Sequence, residues 1–290
     1  MGDSSCQYST LMTEGYAAML LDSAKRLALE RPLQNFAANG FARLGRVLSA
    51  EGAARLGSRA DALMLGTRTI QGLFFQHDSP TGRYEDLKFG QGWVGPSRAY
   101  RKLEKLERDP LFGAWIENPL FGRIVRALIG ADVALYRTVL WNKRAEGGMD
   151  LPWHQDDGRF WGLDRAPLLQ IWTALDDAPI EAGCVEVIPG SHHAGLATPQ
   201  GGTIPTAVYA AAASALQPAQ PLRLPVRAGE ALLIHNHVWH RSGRNHTKQP
   251  RRALGISYVS AATRCTRTRR APRRFQRVFA SGLKSSVELS

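Results

Sequence analysis

PWHQDD, Pro152 to Asp157, is the stretch from which the fold is read. Side chains at i and i+2 of an extended segment point the same way, so His154 and Asp156 can bring an imidazole nitrogen and a carboxylate oxygen to one cation. His-x-Asp alone also arises by chance in loops, and its meaning depends on a third ligand. His235, His237 and His240 compete for that position within Leu232 to Asn245. Two histidines and one carboxylate on one face of an octahedron leave three positions open, the arrangement of non-haem iron(II) oxygenases. Those positions take a bidentate 2-oxo acid and then dioxygen.

Such a site needs extended chain around it. From Val133 onward the sequence turns to short β-branched and aromatic runs broken by Gly, Pro and Asn, as in an all-β barrel or sandwich. Strands are expected at Val133 to Trp141, Leu168 to Leu175, Cys184 to Ile188, Leu222 to Val226, Ala231 to His235 and Ala253 to Val259, with a tight turn at Pro189, Gly190 and Ser191. Upstream, Phe41 to Leu48 alternates as a half-buried strand. Ser49 with Glu51 can then start a helix running toward Met64. Asp109 before Pro110, and Asn118 before Pro119, are N-cap and N1 pairs, and Gly130 closes the second helix. Gly66 to Tyr100 is rich in Gly, Pro and aromatics and long for a loop, which suggests a lid. Met12 to Leu29 reads as a peripheral helix. The expected architecture is a mainly β protein with a helical flank. It divides into an N-terminal extension (1–30), a helical and loop section (31–132), a β core (133–260) and a basic tail (261–290).

Among the competing histidines, His240 is favoured by the residues downstream of it. Arg251 comes eleven residues later, just before a strand, and its guanidinium can hold the far carboxylate of 2-oxoglutarate in a two-pronged salt bridge. Ser242 shares parity with His240 and can add a hydroxyl. Ala253, Gly255 and Ser257 share Arg251's face and are small, leaving space, while Leu254, Ile256 and Tyr258 fill the other face.

These segments resemble the phytanoyl-CoA dioxygenase family over roughly residues 35 to 260. The matching stretches are Trp153 to Asp156, IWTAL at Ile171 to Leu175, GCVEVIPGSH at Gly183 to His192, and the series His240, Ser242, Gly243, Asn245, Arg251. The resemblance implies a double-stranded β-helix (jelly-roll, cupin-like) fold. It also implies iron(II) on His154, Asp156 and His240, and 2-oxoglutarate on Arg251 and Ser242. Trp172 matches a cosubstrate-lining position, although a core aromatic would read alike. Lys143 and Tyr136 lie on a strand where the family lines its pocket. Gln170 shares Trp172's face, as a cosubstrate neighbour or as a buried amide with a structural partner. The reaction implied consumes 2-oxoglutarate and O2, releases succinate and CO2, and hydroxylates, desaturates or cyclises the substrate. Related halogenases carry Ala or Gly where Asp156 stands, so halogenation is not expected.

Substrate identity is not written in these motifs. Asp157, Arg159, Phe160 and Trp161 follow the ligand pair, and Trp93, Tyr100 and Arg101 come from the long loop. They are the candidates for contacting a small natural-product or lipid-like metabolite, with Arg159 or Arg101 available to an anionic group.

The net charge of +12 raises nucleic acid as a partner, but much of it is local. Arg264 to Ser290 holds seven arginines and one lysine against Glu288, a balance of +7, leaving +5 upstream. No aromatic interleaving beyond Phe275 offers a base-stacking platform, so a solvated tail is favoured over an anion-binding strip. A nucleic-acid or protein demethylase using that tail and a non-catalytic β-barrel binder are the rival classes. Tyr16 to Leu21 is too short to span a bilayer. Cys6, Cys184 and Cys265 give neither a disulfide framework nor a zinc pattern, which fits a cytoplasmic protein.

Overall fold

The computed structural model describes residues 29–215, 220–268 and 273–280. The helical run from Met12, and Arg269 and Arg270 of the tail, lie outside the described residues.

In chain order the elements are α1 (Glu30–Asn39), β1 (Phe41–Arg46), α2 (Ala50–Met64), β2 (Phe74–His77), β3 (Tyr100–Glu104), α3 (Pro110–Ile116), α4 (Pro119–Ile129), β4 (Val133–Lys143), β5 (Leu151–Gln155), β6 (Leu169–Ala174), β7 (Val185–Val187), β8 (Gly202–Thr203), α5 (Thr206–Ala215), β9 (Leu222–Leu224), β10 (Glu230–His235), β11 (His240–Ser242), β12 (Arg251–Ser260) and β13 (Gln276–Phe279). Two antiparallel sheets result, eight strands in the order β1-β10-β6-β12-β4-β3-β2 with β13 also on β4, and five in the order β8-β5-β11-β7-β9. This is the jelly-roll expected from the sequence.

The helices form where their caps and apolar spacing direct. Ser49 Oγ accepts from Gly52 N–H at 2.9 Å and opens α2, whose Ala53, Leu56, Ala60 and Leu63 recur at helical spacing and are buried. Asp109 and Asn118 cap α3 and α4 by accepting from Leu111 and Leu120 N–H, each with Pro at the first helical position. These helices cover the outer face of the large sheet. Ile171 of β6 joins Leu233, Leu254, Ile256 and Tyr258 in the core beneath them. The alternate residues Trp172, Leu232, Ile234 and Ala253 face inward against Val185 and Val187 of the smaller sheet.

Strand β4 breaks this alternation once. Its register with β12 runs Ser257 opposite Arg137 and then Tyr258 opposite Leu135, so Tyr136 is an unpaired bulge residue. Before the bulge, Val133 and Leu135 face the helices; after it, Leu140 does. Tyr136 joins Ala134 and Trp161 in a separate cluster, and the parity of Arg137, Val139, Trp141 and Lys143 turns toward the space between the sheets.

Three expectations are corrected. The segment from Gly66 to Tyr100 is not one long loop, because Phe74–His77 pairs with β3 and Tyr100 is fully buried. The tail is not wholly solvated: Gln276–Phe279 pairs with Val133 to Leu135 and buries Phe279. The N-terminal strand ends at Arg46 rather than Leu48.

Asp109 is fully buried, capping α3 while accepting from Arg59 at 2.7 Å. Asp109→Ala should lower stability by roughly 1–3 kcal/mol, and Asp109→Asn, which keeps the cap, by less. Urea midpoints that place Ala within about 0.5 kcal/mol of the unmodified chain would contradict this assignment of the cap's weight.

Candidate metal centre

Strand β5 lies antiparallel to β11 with His154 directly opposite His240, and their ring centroids are 4.0 Å apart. Asp156 follows the end of β5, where its N–H donates to Asn236 O at 2.8 Å and its carbonyl accepts from Asn236 Nδ2 at 2.7 Å. This two-way clamp fixes the backbone that carries the carboxylate. Ligand atoms of His154, Asp156 and His240 all lie within 4.8 Å of one another.

The hydrogen bonds also set the tautomers. His154 Nδ1 lies 2.9 Å from Pro152 O and His240 Nδ1 lies 3.0 Å from Val238 O, so each Nδ1 carries the proton and each Nε2 keeps a lone pair for a cation. Burial, with His240 beside it, pulls the His154 imidazole down to about 3 and keeps it neutral at pH 7. Burial opposes the charge of Asp156. Even so, its polar neighbours His240, His154 and Arg137 hold its carboxyl below the ordinary carboxylate range. Gln170 Nε2 donates to Asp156 Oδ2 at 2.6 Å, which orients the carboxylate.

The competing histidines are engaged elsewhere. His237 Nε2 sits 2.7 Å from Asp157 Oδ2, and His235 Nδ1 accepts from His237 N–H at 2.9 Å while its ring packs 5.6 Å from Phe36. Burial, then His192 and His237, bring His235 down to about 3.

Next to the triad a cavity of about 60 Å³ is lined by His154, Asp156, His240, Trp172, Ser242 and Arg251, among others. Arg251 is 2% exposed, donates from one terminal nitrogen to Gly183 O at 2.9 Å, and has a buried Nε without a partner. Burial lowers its pKa to about 10, so it is still a cation at neutral pH. Gly183 holds φ at +71°, and a Cβ there would meet Gly243 O at 2.1 Å, so only glycine lets this carbonyl approach Arg251. Lys143, paired opposite Arg251, is also buried and donates to Met149 O at 2.6 Å. Burial, then Arg251, pushes its pKa well below the lysine range. Neither side chain meets a carboxylate among the described residues, and a buried guanidinium left so is costly unless an anion completes it.

The remaining candidates divide. Arg101 lines the cavity, over Trp141 at 5.2 Å and donating to Gln76 Oε1 at 2.7 Å. Trp161 is buried and stacks on Tyr136 at 4.7 Å, so Tyr136 supports Trp161 and does not line the cavity. Arg159 and Phe160 are exposed beside it. Trp93 and Tyr100 are placed elsewhere. Tyr100 is drawn into the helix-side core with its hydroxyl between Val94 N and Gly95 O, and Trp93 covers Gly66. Sequence reasoning missed Trp141, which shares Lys143's parity and could have been found from it. It also missed Arg137, which the bulge hides.

The sequence profile described as Phytanoyl-CoA dioxygenase (PhyH) matches residues 36–253. Phytanoyl-CoA dioxygenase domain-containing protein 1 of Mus musculus is 28% identical over 180 residues, covering 60% of this chain and 62% of the mouse protein. The chain thus matches less than two thirds of that relative's length. Among solved structures, the epimerase SnoN in complex with Fe3+, alpha ketoglutarate and nogalamycin RO superposes with a TM-score of 0.66 at 20% identity, covering 88% of this chain and 95% of its own. EctD from S. alaskensis, with 2-oxoglutarate and 5-hydroxyectoine, gives 0.65 at 19%, covering 86% and 84%. At such identities the likeness is one of fold.

His154→Ala and His240→Ala should each abolish tight binding of iron(II), or of manganese(II) as a redox-silent probe, whereas His235→Ala and His237→Ala should retain it. Anaerobic calorimetry reads this directly. Binding lost in His237→Ala and kept in His240→Ala would transfer the third ligand position.

Proposed function

The chain belongs to the phytanoyl-CoA dioxygenase family, and from that premise we propose that it is an iron(II)- and 2-oxoglutarate-dependent oxygenase acting on a small organic metabolite of natural-product or lipid-like type. The observation that carries this reading is the pairing of the His154, Asp156 and His240 cluster with a buried arginine whose Nε has no partner. A facial set of two imidazoles and one carboxylate suits iron(II), and the unfilled Arg251 and Lys143 cradle suits a carboxylate reaching away from the metal. Residues 1–290 would form a single oxygenase domain with its β core at 133–260. Among the described residues no helix is long and apolar enough to cross a membrane. Cys184 and Cys265 are unbridged, which supports placement in the cytosol.

Iron(II), 2-oxoglutarate and dioxygen together supply oxidation of an unactivated C–H bond, with succinate and CO2 as co-products. The chain's own residues bind and orient. His154 and His240 present Nε2 because their Nδ1 protons are held by backbone carbonyls. Gln170 keeps Asp156 turned toward the cluster. Arg251 and Ser242 would hold the cosubstrate's distant carboxylate, with Lys143 beside them and Trp172 walling the slot. Asp156 would occupy the ligand position that a halide needs, which favours hydroxylation, desaturation or ring closure.

Substrate-free succinate formation from 2-oxoglutarate, dependent on iron and dioxygen, tests the class; a metal-loaded protein that neither binds nor turns over 2-oxoglutarate would remove it. Arg251→Ala should weaken 2-oxoglutarate binding by on the order of 2–5 kcal/mol. Arg252→Ala should leave that affinity alone and instead cost roughly 2–3 kcal/mol of stability, because Arg252 is held by Asp176 at 2.8 Å and Asp61 at 2.9 Å on the helix side. Equal losses of cosubstrate affinity in both variants would contradict the strand parity. With a substrate in hand and chloride or bromide in excess, the product should carry no halogen; a halogenated product would mean that Asp156 leaves the metal.

A further inference from the structure

Arg137 is not among the residues proposed to hold the metal or the cosubstrate, yet it stands beside Asp156. The guanidinium lies over the Trp161 ring at 4.5 Å, and the side chain is 18% exposed. Its Nε is buried without a partner. One terminal nitrogen is 3.7 Å from Asp156 Oδ1, too long for a hydrogen bond, and Asp156 is already hydrogen-bonded by Gln170. Trp161 is in turn fixed against Tyr136, whose hydroxyl donates to Trp161 O at 3.0 Å. A planar cation is therefore held flat, with donors on its edge unfilled.

Further positive charge is delivered by the C-terminal segment. Because β13 pairs with the start of β4, Arg273 lies over the rings of Tyr136 and Phe275, 5.3 Å from each, and donates to Tyr136 O. Arg267 donates to Phe160 O. Among the described residues Glu104 and Asp156 carry charge felt by Arg137, and both are engaged, Glu104 by Lys102 at 2.6 Å and Asp156 within the candidate metal cluster. A largely buried arginine with an unfilled donor is costly unless an anion completes it, and a stacked guanidinium suits a bidentate oxyanion.

We infer that Arg137, supported by Arg273, binds an oxyanion of the substrate, a carboxylate or a phosphate, so that this enzyme oxidises an organic acid. This rests on the oxygenase reading and specifies its substrate class. The apolar body of that acid would lie against Trp161 and the exposed Phe160. Since Arg137 approaches a metal-ligating carboxylate, the oxidised carbon lies within a few bonds of the anion. Lys143 is six residues along the same strand, roughly 20 Å of backbone, so the cosubstrate's distant carboxylate and the substrate's anion are received at separate poles.

The test uses the full-length protein loaded with manganese(II) and 2-oxoglutarate without dioxygen, titrated calorimetrically with octanoate, octyl phosphate and octanol. The unmodified protein should bind at least one of the two anions at least about tenfold more tightly than octanol, and their order tells carboxylate from phosphate. Arg137→Gln should remove that preference, whereas Arg123→Gln, an equal loss of charge on the exposed side of α4, should keep it. Manganese and 2-oxoglutarate affinities of Arg137→Gln are measured alongside. Their retention separates a substrate anchor from a group that orients Asp156, and loss of either would overturn the assignment. Equal binding of octanol and both anions, or an anion preference that survives Arg137→Gln, would also overturn it. A protein that binds manganese but never 2-oxoglutarate would instead defeat the oxygenase reading on which the assignment stands.

Discussion

The pairing of β5 with β11 is the constraint on which this molecule depends. It sets two histidines from distant parts of the chain face to face, and each ring is locked by the backbone carbonyl two residues earlier. A one-residue slip in this register would turn one imidazole out of the cluster. The pairing is short and would not persist alone. It is held by its place between β7 and β8 in the smaller sheet and by the apolar layer of Trp172, Val185, Val187, Leu232 and Ile234 between the sheets.

Charge is concentrated in that otherwise apolar layer. Arg251 and Lys143 are almost completely buried without a carboxylate partner among the described residues, an arrangement that costs stability. Arg252, one residue along, shows the contrast. The alternation of the strand sends it to the helix side, where Asp61 and Asp176 neutralise it. Adjacent arginines thus meet opposite surroundings, Arg251 at the cavity and Arg252 between carboxylates, and the pleat alone separates them.

Much of this was legible in the sequence. The caps at Ser49, Asp109 and Asn118, the strands after Val133, the small residues flanking Arg251 and the His-x-Asp spacing each carry a local physical signature. What escaped was set by long-range pairing. Tyr100 reads as a loop aromatic but is drawn inward because β3 joins β4, and the tail reads as solvated charge but contributes an edge strand. The unpaired Tyr136 has no signature at all, since a bulge is defined by the partner strand's register and not by the residue that bulges.

That bulge also bears on how the fold can change over generations. Strand β4 carries Lys143 to the cavity beside Arg251 and Arg137 to Asp156, and the extra residue between Leu135 and Arg137 places Tyr136 against Trp161 as well. Losing the Tyr136 codon would let Leu135 and Arg137 pair in unbroken alternation with Tyr258 and Ser257, removing one ring from beside Trp161 while leaving the cluster of His154, Asp156 and His240 in place. Insertions and deletions at this point are therefore a route by which the scaffold can acquire new specificities without rebuilding its metal site.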